Sequence, residues 1–378
     1  NTFVGNLAGD AVTTSHHNTG VGHQALTTNV LGSNSVAVGS FALNTQNPAS
    51  AADMLNTAVG YNAGALITTG AENTIMGGEA GDALTDADFN VALGHQALSG
   101  DTLGSRSTAI GRAALRAQNF TSATDAYNVA VGMNAGLSVT TGIQNTIIGG
   151  LAGDALQASS ENVVIGYEAL TDSSASTGNA VIGHQAMGNM QDGDNNVAVG
   201  KLAMFGGSGS NANNNTAIGT QALRLTTTGS NNVAVGFTAG KASTTGHSNV
   251  AIGFESLLAE DTGRKNVAVG YETLKNQNSD ADNFNVAVGY QAGGDITTGI
   301  QNTLIGGLAA DNLTTGNHNV AIGKSALDAE TAGHQSIAIG LQALAAQNNS
   351  SSTNAFNVAI GSQAGLSVTT GLQNVIVG

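Results

Sequence analysis

The chain has 378 residues, with 53 Gly, one Pro, no Cys and no Trp, and a formal net charge of −15 with only ten Lys and Arg. A single proline, and glycine without a period of three, exclude collagen; the missing thiols exclude disulfides and thiolate sites. The acidic balance argues against a nucleic-acid partner or an anionic membrane surface, and no apolar run reaches the ~18 residues that a spanning helix needs.

From its first residues the chain repeats one phrase. Asn1 to Gly5 is the first copy, Asn56-Thr57-Ala58-Val59-Gly60 a typical one, and Gly378 closes the last. With the closing glycine as anchor there are twenty-two copies; sixteen of the intervals are 17 residues, two are 19 and three are 21. A fixed short period is the mark of a solenoid, whose units cannot bury a core alone. No linker or change of composition divides the chain, so 1–378 reads as one continuous β-solenoid of about 21 rungs. Because it begins and ends inside the pattern, it is expected to be a segment of a longer fibre.

Within a rung, position −3 is Thr, Val or Ile except at Ala180, and position −1 is always aliphatic. Alternate residues of a strand share a face, so these two columns are expected to point inward. The Ala column between them, Ala58, Ala130, Ala198, Ala234 and Ala268 among others, would then face a neighbouring copy of the chain. Position −4 is Asn in nineteen copies and Ser35, Ser107 or Ser336 in the others, which suits a strand entrance and an amide ladder. The three Ser precede the three 21-residue intervals. After the anchor, a recurring Ala at +3 suggests a bend or second short strand, and the frequent Gly at −7 suggests a positive-φ turn. Where the Ala column becomes Ile75, Ile147 or Leu304, the residue after the anchor becomes Gly78, Gly150 or Gly307, which suggests volume compensation at a tight contact.

The iterated phrase Asn128-Val129-Ala130-Val131-Gly132 through Ala135, repeated at Asn266 to Gly270 and in the other rungs, resembles the heads of trimeric autotransporter adhesins of the YadA type and equally the shafts of bacteriophage tail fibres. The resemblance implies a left-handed parallel β-roll in which three chains pack around one axis, on a virion or bacterial surface. The 17-residue spacing is longer than the repeat typical of the adhesin heads, and the Thr-Thr-Gly turns look more like phage fibre. Expected partners are therefore two further copies of the chain and a cell-surface glycan or protein receptor; a bacterial trimeric autotransporter adhesin head or self-assembling surface filament is the rival to a phage fibre, and an ice-binding solenoid a distant one.

No catalytic constellation is expected. His23, His95 and His184 share the +1 slot with Ser40, Lys201 and Leu341, so the slot tolerates any side chain. Asp10, Asp82, Asp154 and Asp311 recur at +5 but lie 72 or more residues apart, unlike stacked calcium repeats, so no metal or cofactor is expected. Candidate surface-binding residues are the aromatic rings of the +1 slot, Tyr61, Tyr167, Phe237, Phe254, Tyr271 and Tyr290, together with Phe120 and Tyr127 of the insert at 116–127. Rings offer an apolar face and, in Tyr, a polar handle. The other inserts, at 44–55, 205–214, 275–284 and 345–356, supply the remaining irregular surface.

Overall fold

The structure is a computed structural model that describes residues 1–207 and 209–378; Ser208, within one insert, lies outside it. The described residues hold β-strands and turns and no helix, arranged as a parallel β-solenoid. They fall into two compact units, Asn1–Asp192 and Gly193–Gly378. The first carries eleven three-residue strands from Thr2–Val4 to Ala180–Ile182, the second eleven from Val197–Val199 to Val375–Val377. Within each unit every phrase is one strand, paired in parallel and in register with its neighbour: Val91 opposite Thr108, Ala92 opposite Ala109, Leu93 opposite Ile110 in the first, and Val233 opposite Val250 in the second.

The anchor glycine is required by backbone geometry. Its φ lies near +140°, as at Gly236, where an added Cβ would sit 2.4 Å from the carbonyl oxygen of Gly253 in the next rung. Beyond it the chain makes turns, so that of the bend and the second strand expected there it is the bend that forms. Residues at +2 and +4 adopt left-handed conformations even when they are not glycine, as at Gln96 and Leu98. Such conformations are uncommon for residues with a side chain, and rung-to-rung bonds through the turn hold them, such as Leu98 N–H to Ala114 O at 3.0 Å. Two-residue strands do occur, but before position −4: Gly32–Ser33 pairs with Ala52–Asp53, Gly104–Ser105 with Thr124–Asp125, and Gly333–His334 with Thr353–Asn354. Each pair accompanies a 21-residue interval. The −7 glycines do not have positive φ; they allow close approach, since a Cβ on Gly142 would lie 2.0 Å from the carbonyl oxygen of Ser159. Positive φ falls instead at −5, as at Phe89, Tyr127 and Lys265.

The expected facing of the strand is reversed. Ala58, Ala130, Ala198, Ala234 and Ala268 are completely buried inside a single chain, so they cannot be the surface that meets another copy. The −1 and −3 residues stand outside, half-buried or exposed, as in the pattern of Val36–Val38. Cross-section decides this: a loop of 17 residues encloses a thin interior that already holds the Ala of +3, a Leu at +4 and the Asn of −4, and only a methyl group fits opposite them.

That interior is filled by exchange of volume. Where +4 is Leu, +7 is usually polar, as in Leu43 with Gln46 or Leu274 with Gln277; where +4 is Gly, +7 is usually apolar, as in Gly64 with Ile67 and Gly81 with Leu84. Ile75 uses the same space. Its Cδ1 would lie 3.1 Å from a Cβ on Gly64 and 3.2 Å from one on Gly81. Compensation therefore runs through the +4 glycines, and not through Gly78, whose added Cβ would meet only His95 at 3.7 Å.

Candidate functional surface

The buried Asn column forms a ladder. Asn56 Oδ1 accepts the N–H of Asn73 at 2.9 Å, while its Nδ2 donates to Gly70 O at 2.8 Å, and the arrangement recurs from rung to rung. Ser replaces Asn where the next rung is long and carries a buried Gln at +7: Gln46 Nε2 donates to Ser35 Oγ at 3.1 Å, Gln118 to Ser107 at 3.0 Å and Gln347 to Ser336 at 2.9 Å. The Ser exchange thus tracks a real change of geometry, and its cause is a glutamine amide.

Three buried carboxylates lie at +7 in rungs preceding long ones. The composition gave no sign of them. Glu330 accepts from the backbone N–H of Gly333 at 2.8 Å and of Asn349 at 2.9 Å, and from the side-chain amides of Gln347 and Asn349 at 2.8 Å. Asp101 accepts from the N–H groups of Gly104 and Phe120. Glu260 accepts from Gly263 N–H at 2.7 Å and Asn283 Nδ2 at 2.8 Å, and burial pushes its carboxyl up to about 7. All three bind an insert to the rung below it. The spacing of Asp or Glu three residues before a −7 Gly was the available signal.

Outside, the +1 slot holds rings as expected. Phe237, Phe254, Tyr271 and Tyr290 form a continuous face-to-face stack, with centroids 5.5, 5.1 and 5.2 Å apart and planes within 12°. Tyr167 stacks on His184 at 5.8 Å, and Tyr61 meets Phe41 edge-on at 6.3 Å. Phe120 does not belong to this surface. It is 5% exposed, lodged beneath its insert where a Cβ on Gly104 would lie 2.7 Å from its ring, so it is a core residue. Tyr127 is exposed and belongs to a second line at −5. There the Arg106 guanidinium lies 4.6 Å from the Phe89 ring and 5.8 Å from that of Tyr127, and Lys265 stands over Phe284 at 4.7 Å.

Beside the ring stack opens a cleft of about 360 Å³ lined by Glu272, Lys275, Asn276, Gln291, Gly294, Asp295 and Asp311. Lys275 Nζ lies 2.7 Å from both Glu255 and Glu272 carboxylates. Glu272 also receives Gln291 Nε2 at 2.8 Å. The Lys275 ammonium, then the Gln291 amide, hold the Glu272 carboxyl below its usual range. Burial, then the neighbouring Asp295 and Asp328, push Asp311 up to about 6. Asp82 and Asp154, in the same register, are also raised by burial.

Among the histidines, His334 makes a Ser–His contact, Nε2 to Ser352 Oγ at 2.6 Å. Its Nδ1 accepts the N–H of Asn317 at 2.8 Å, so the proton sits on Nε2 and the ring cannot deprotonate Ser352 as this contact stands. No group of three or more metal-ligating residues is found among the described residues. A scan against known protein families and a search of curated proteins each find no match to the chain.

Proposed function

We propose that the chain is a structural fibre segment carried on a virion or bacterial surface, in which three copies associate side by side and the outer ring slot contributes contacts to a cell-surface glycan or protein receptor. The outward aliphatic columns carry this reading. Ile218, Ile252, Val288, Ile305 and Ile360 are each 37–43% exposed in the second unit, and Val36, Ile148, Val163 and Ile182 are comparably open in the first. A continuous apolar face of this kind marks an interaction site, because soluble monomers rarely expose more than a few hundred Å² of apolar surface in one patch. Over eleven rungs the two columns expose on the order of 1,000 Å², against about 800 Å² that each partner of a stable complex contributes. A second copy of the same chain presents a matching period. The number three and the surface location rest on the resemblance of the repeat phrase to trimeric adhesin heads and tail-fibre shafts.

The test is the mass of the assembly in solution for the parent chain and for Ile218→Glu with Ile252→Glu. Both side chains point outward, so the roll should still form, while two carboxylates placed within the apolar face should disperse the oligomer. A monomeric parent, or an unchanged oligomer in the double variant, refutes lateral association on this face.

A further inference from the structure

The ring stack of the second unit ends in an uncovered face. The slot above Tyr290 belongs to Gly307, and a Cβ built on Gly307 would meet nothing within 4 Å. The slot is occupied again one rung further on, by the exposed Lys324. Exposure follows the gap: the inner rings Phe254 and Tyr271 are 39% and 42% exposed, Phe237 at the other end is 47%, and Tyr290 is 54%. The fold does not demand glycine here, because its φ is not positive and no neighbour crowds it. The same holds at Gly78 and Gly150, whose added Cβ atoms would make only ordinary contacts with His95 and Tyr167.

We propose that the space over Gly307 is a ring-sized notch that seats one neutral hexopyranose of a glycan against the open face of Tyr290. Stacked groups in this column lie 5.1–5.5 Å apart, so one vacated position admits one flat ring. The C–H face of a pyranose suits the electron-rich ring face. Its hydroxyls would meet the polar wall that begins at Gln291 and Glu272, a pair joined by the Gln291 Nε2 hydrogen bond to the Glu272 carboxylate at 2.8 Å. The cleft behind that wall carries Glu272, Asp295 and Asp311 against a single Lys275, already paired, so this wall favours a neutral sugar over an anionic one, while the exposed Lys324 closes the far side of the gap. The inference deepens the glycan part of the proposed function and is independent of its assembly part.

The probes are the methyl glycosides of glucose, galactose, mannose and N-acetylglucosamine, read by saturation transfer and by Tyr signals, which are few because the chain has five Tyr and no Trp. At least one should bind with Kd near about 1 mM, a magnitude ordinary for a single weakly held ring. Gly307→Phe, which extends the stack into open space, and Tyr290→Ser should each weaken it by about tenfold or more, a loss of about 1.4 kcal/mol. Phe237→Ser, at the far end of the stack, should leave it unchanged. Binding by none of the four glycosides overturns the proposal, as does equal loss in Phe237→Ser. If Gly307→Phe instead alters the mass of the assembly while glycoside signals persist, the notch seats a neighbouring chain and the proposal falls, whereas dispersal by the Ile218 and Ile252 variants bears only on assembly.

Discussion

Asn266 is the one buried rung-entrance amide whose Oδ1 and Nδ2 both lack a partner among the described residues, and it stands where the fold elsewhere places serine. Ser35, Ser107 and Ser336 each precede a buried Gln by eleven residues, and each receives that Gln amide. Asn266 stands in the same relation to Gln277, which already accepts from Asn285 Nδ2 at 2.9 Å as its counterparts do from the following Asn. Replacing Asn266 by Ser should remove two unsatisfied buried groups, each costing about 1–3 kcal/mol, and add one hydrogen bond from Gln277 worth about 1 kcal/mol. Against this stands the smaller volume of Ser, a loss of about 1 kcal/mol. The net expectation is a gain of about 2–6 kcal/mol. Hydrogen exchange of the strands Val267–Val269 and Val286–Val288 is the direct assay, because repeat arrays open locally and a global midpoint averages over rungs. Asn249→Ser is the control: Asn249 Oδ1 accepts Asn266 N–H at 3.0 Å and its Nδ2 reaches Gly263 O at 2.8 Å, so that change should destabilise by about 1–3 kcal/mol. If Asn266→Ser weakens protection as Asn249→Ser does, the argument from the serine positions is wrong.

Ala130→Asp should unfold its neighbourhood, at a cost above about 3 kcal/mol, because the side chain enters the dry interior of one chain; loss of strand signal in circular dichroism checks this, and a folded but dispersed oligomer would restore the outward facing of the Ala column. Glu260 gives a signed pH effect. Its carboxyl lies near 7 in the folded chain against 4.5 ordinarily, so the folded state holds the proton more tightly, and the stabilisation is full below about 4.5 and lost as pH rises through about 7. The loss is about 3 kcal/mol across that window, and the stability difference between parent and Glu260→Gln, followed by denaturant midpoint, should widen with pH by that amount; a difference that does not change between pH 4.5 and 7 contradicts the assignment.

The period, the strand, the anchor glycine and the amide ladder were all legible in the sequence because each rests on a local rule read twenty-two times. The facing of the strand was not. Hydrophobicity alone cannot orient a strand that is apolar on both sides, and alternation places the aliphatic −1 and β-branched −3 columns together without saying on which side. Size is the clue that decides it. A column that stays Ala is one where space is short, and a column that accepts Val, Thr, Met and Ile interchangeably is one where it is not. Phe120 was misplaced for a related reason: an insert was read as surface throughout, whereas its backbone N–H is held by the buried Asp101 and its ring fills the rung beneath.

The same size rule explains how rungs of nearly one sequence keep their order. Strands this alike could slip past one another by a whole rung at little cost in backbone pairing, the weakness of flat repetitive sheets. The interior prevents it. Leu43 from one rung, Ile67 from the next and Ile75 from the one after all approach the place where Gly64 lacks a side chain, at 3.1, 3.0 and 3.1 Å from its missing Cβ. In the second unit Leu274, Ile296 and Leu304 close on Gly293 in the same way, at 3.1, 3.0 and 2.6 Å. A slip by one rung would set Leu against Leu in one layer and leave a void in another, each costing about 1–5 kcal/mol. Large and small residues at +4, +7 and −2 therefore serve as a key between neighbouring rungs. The outer slots, relieved of that duty, are free to carry rings, carboxylates and the gaps between them.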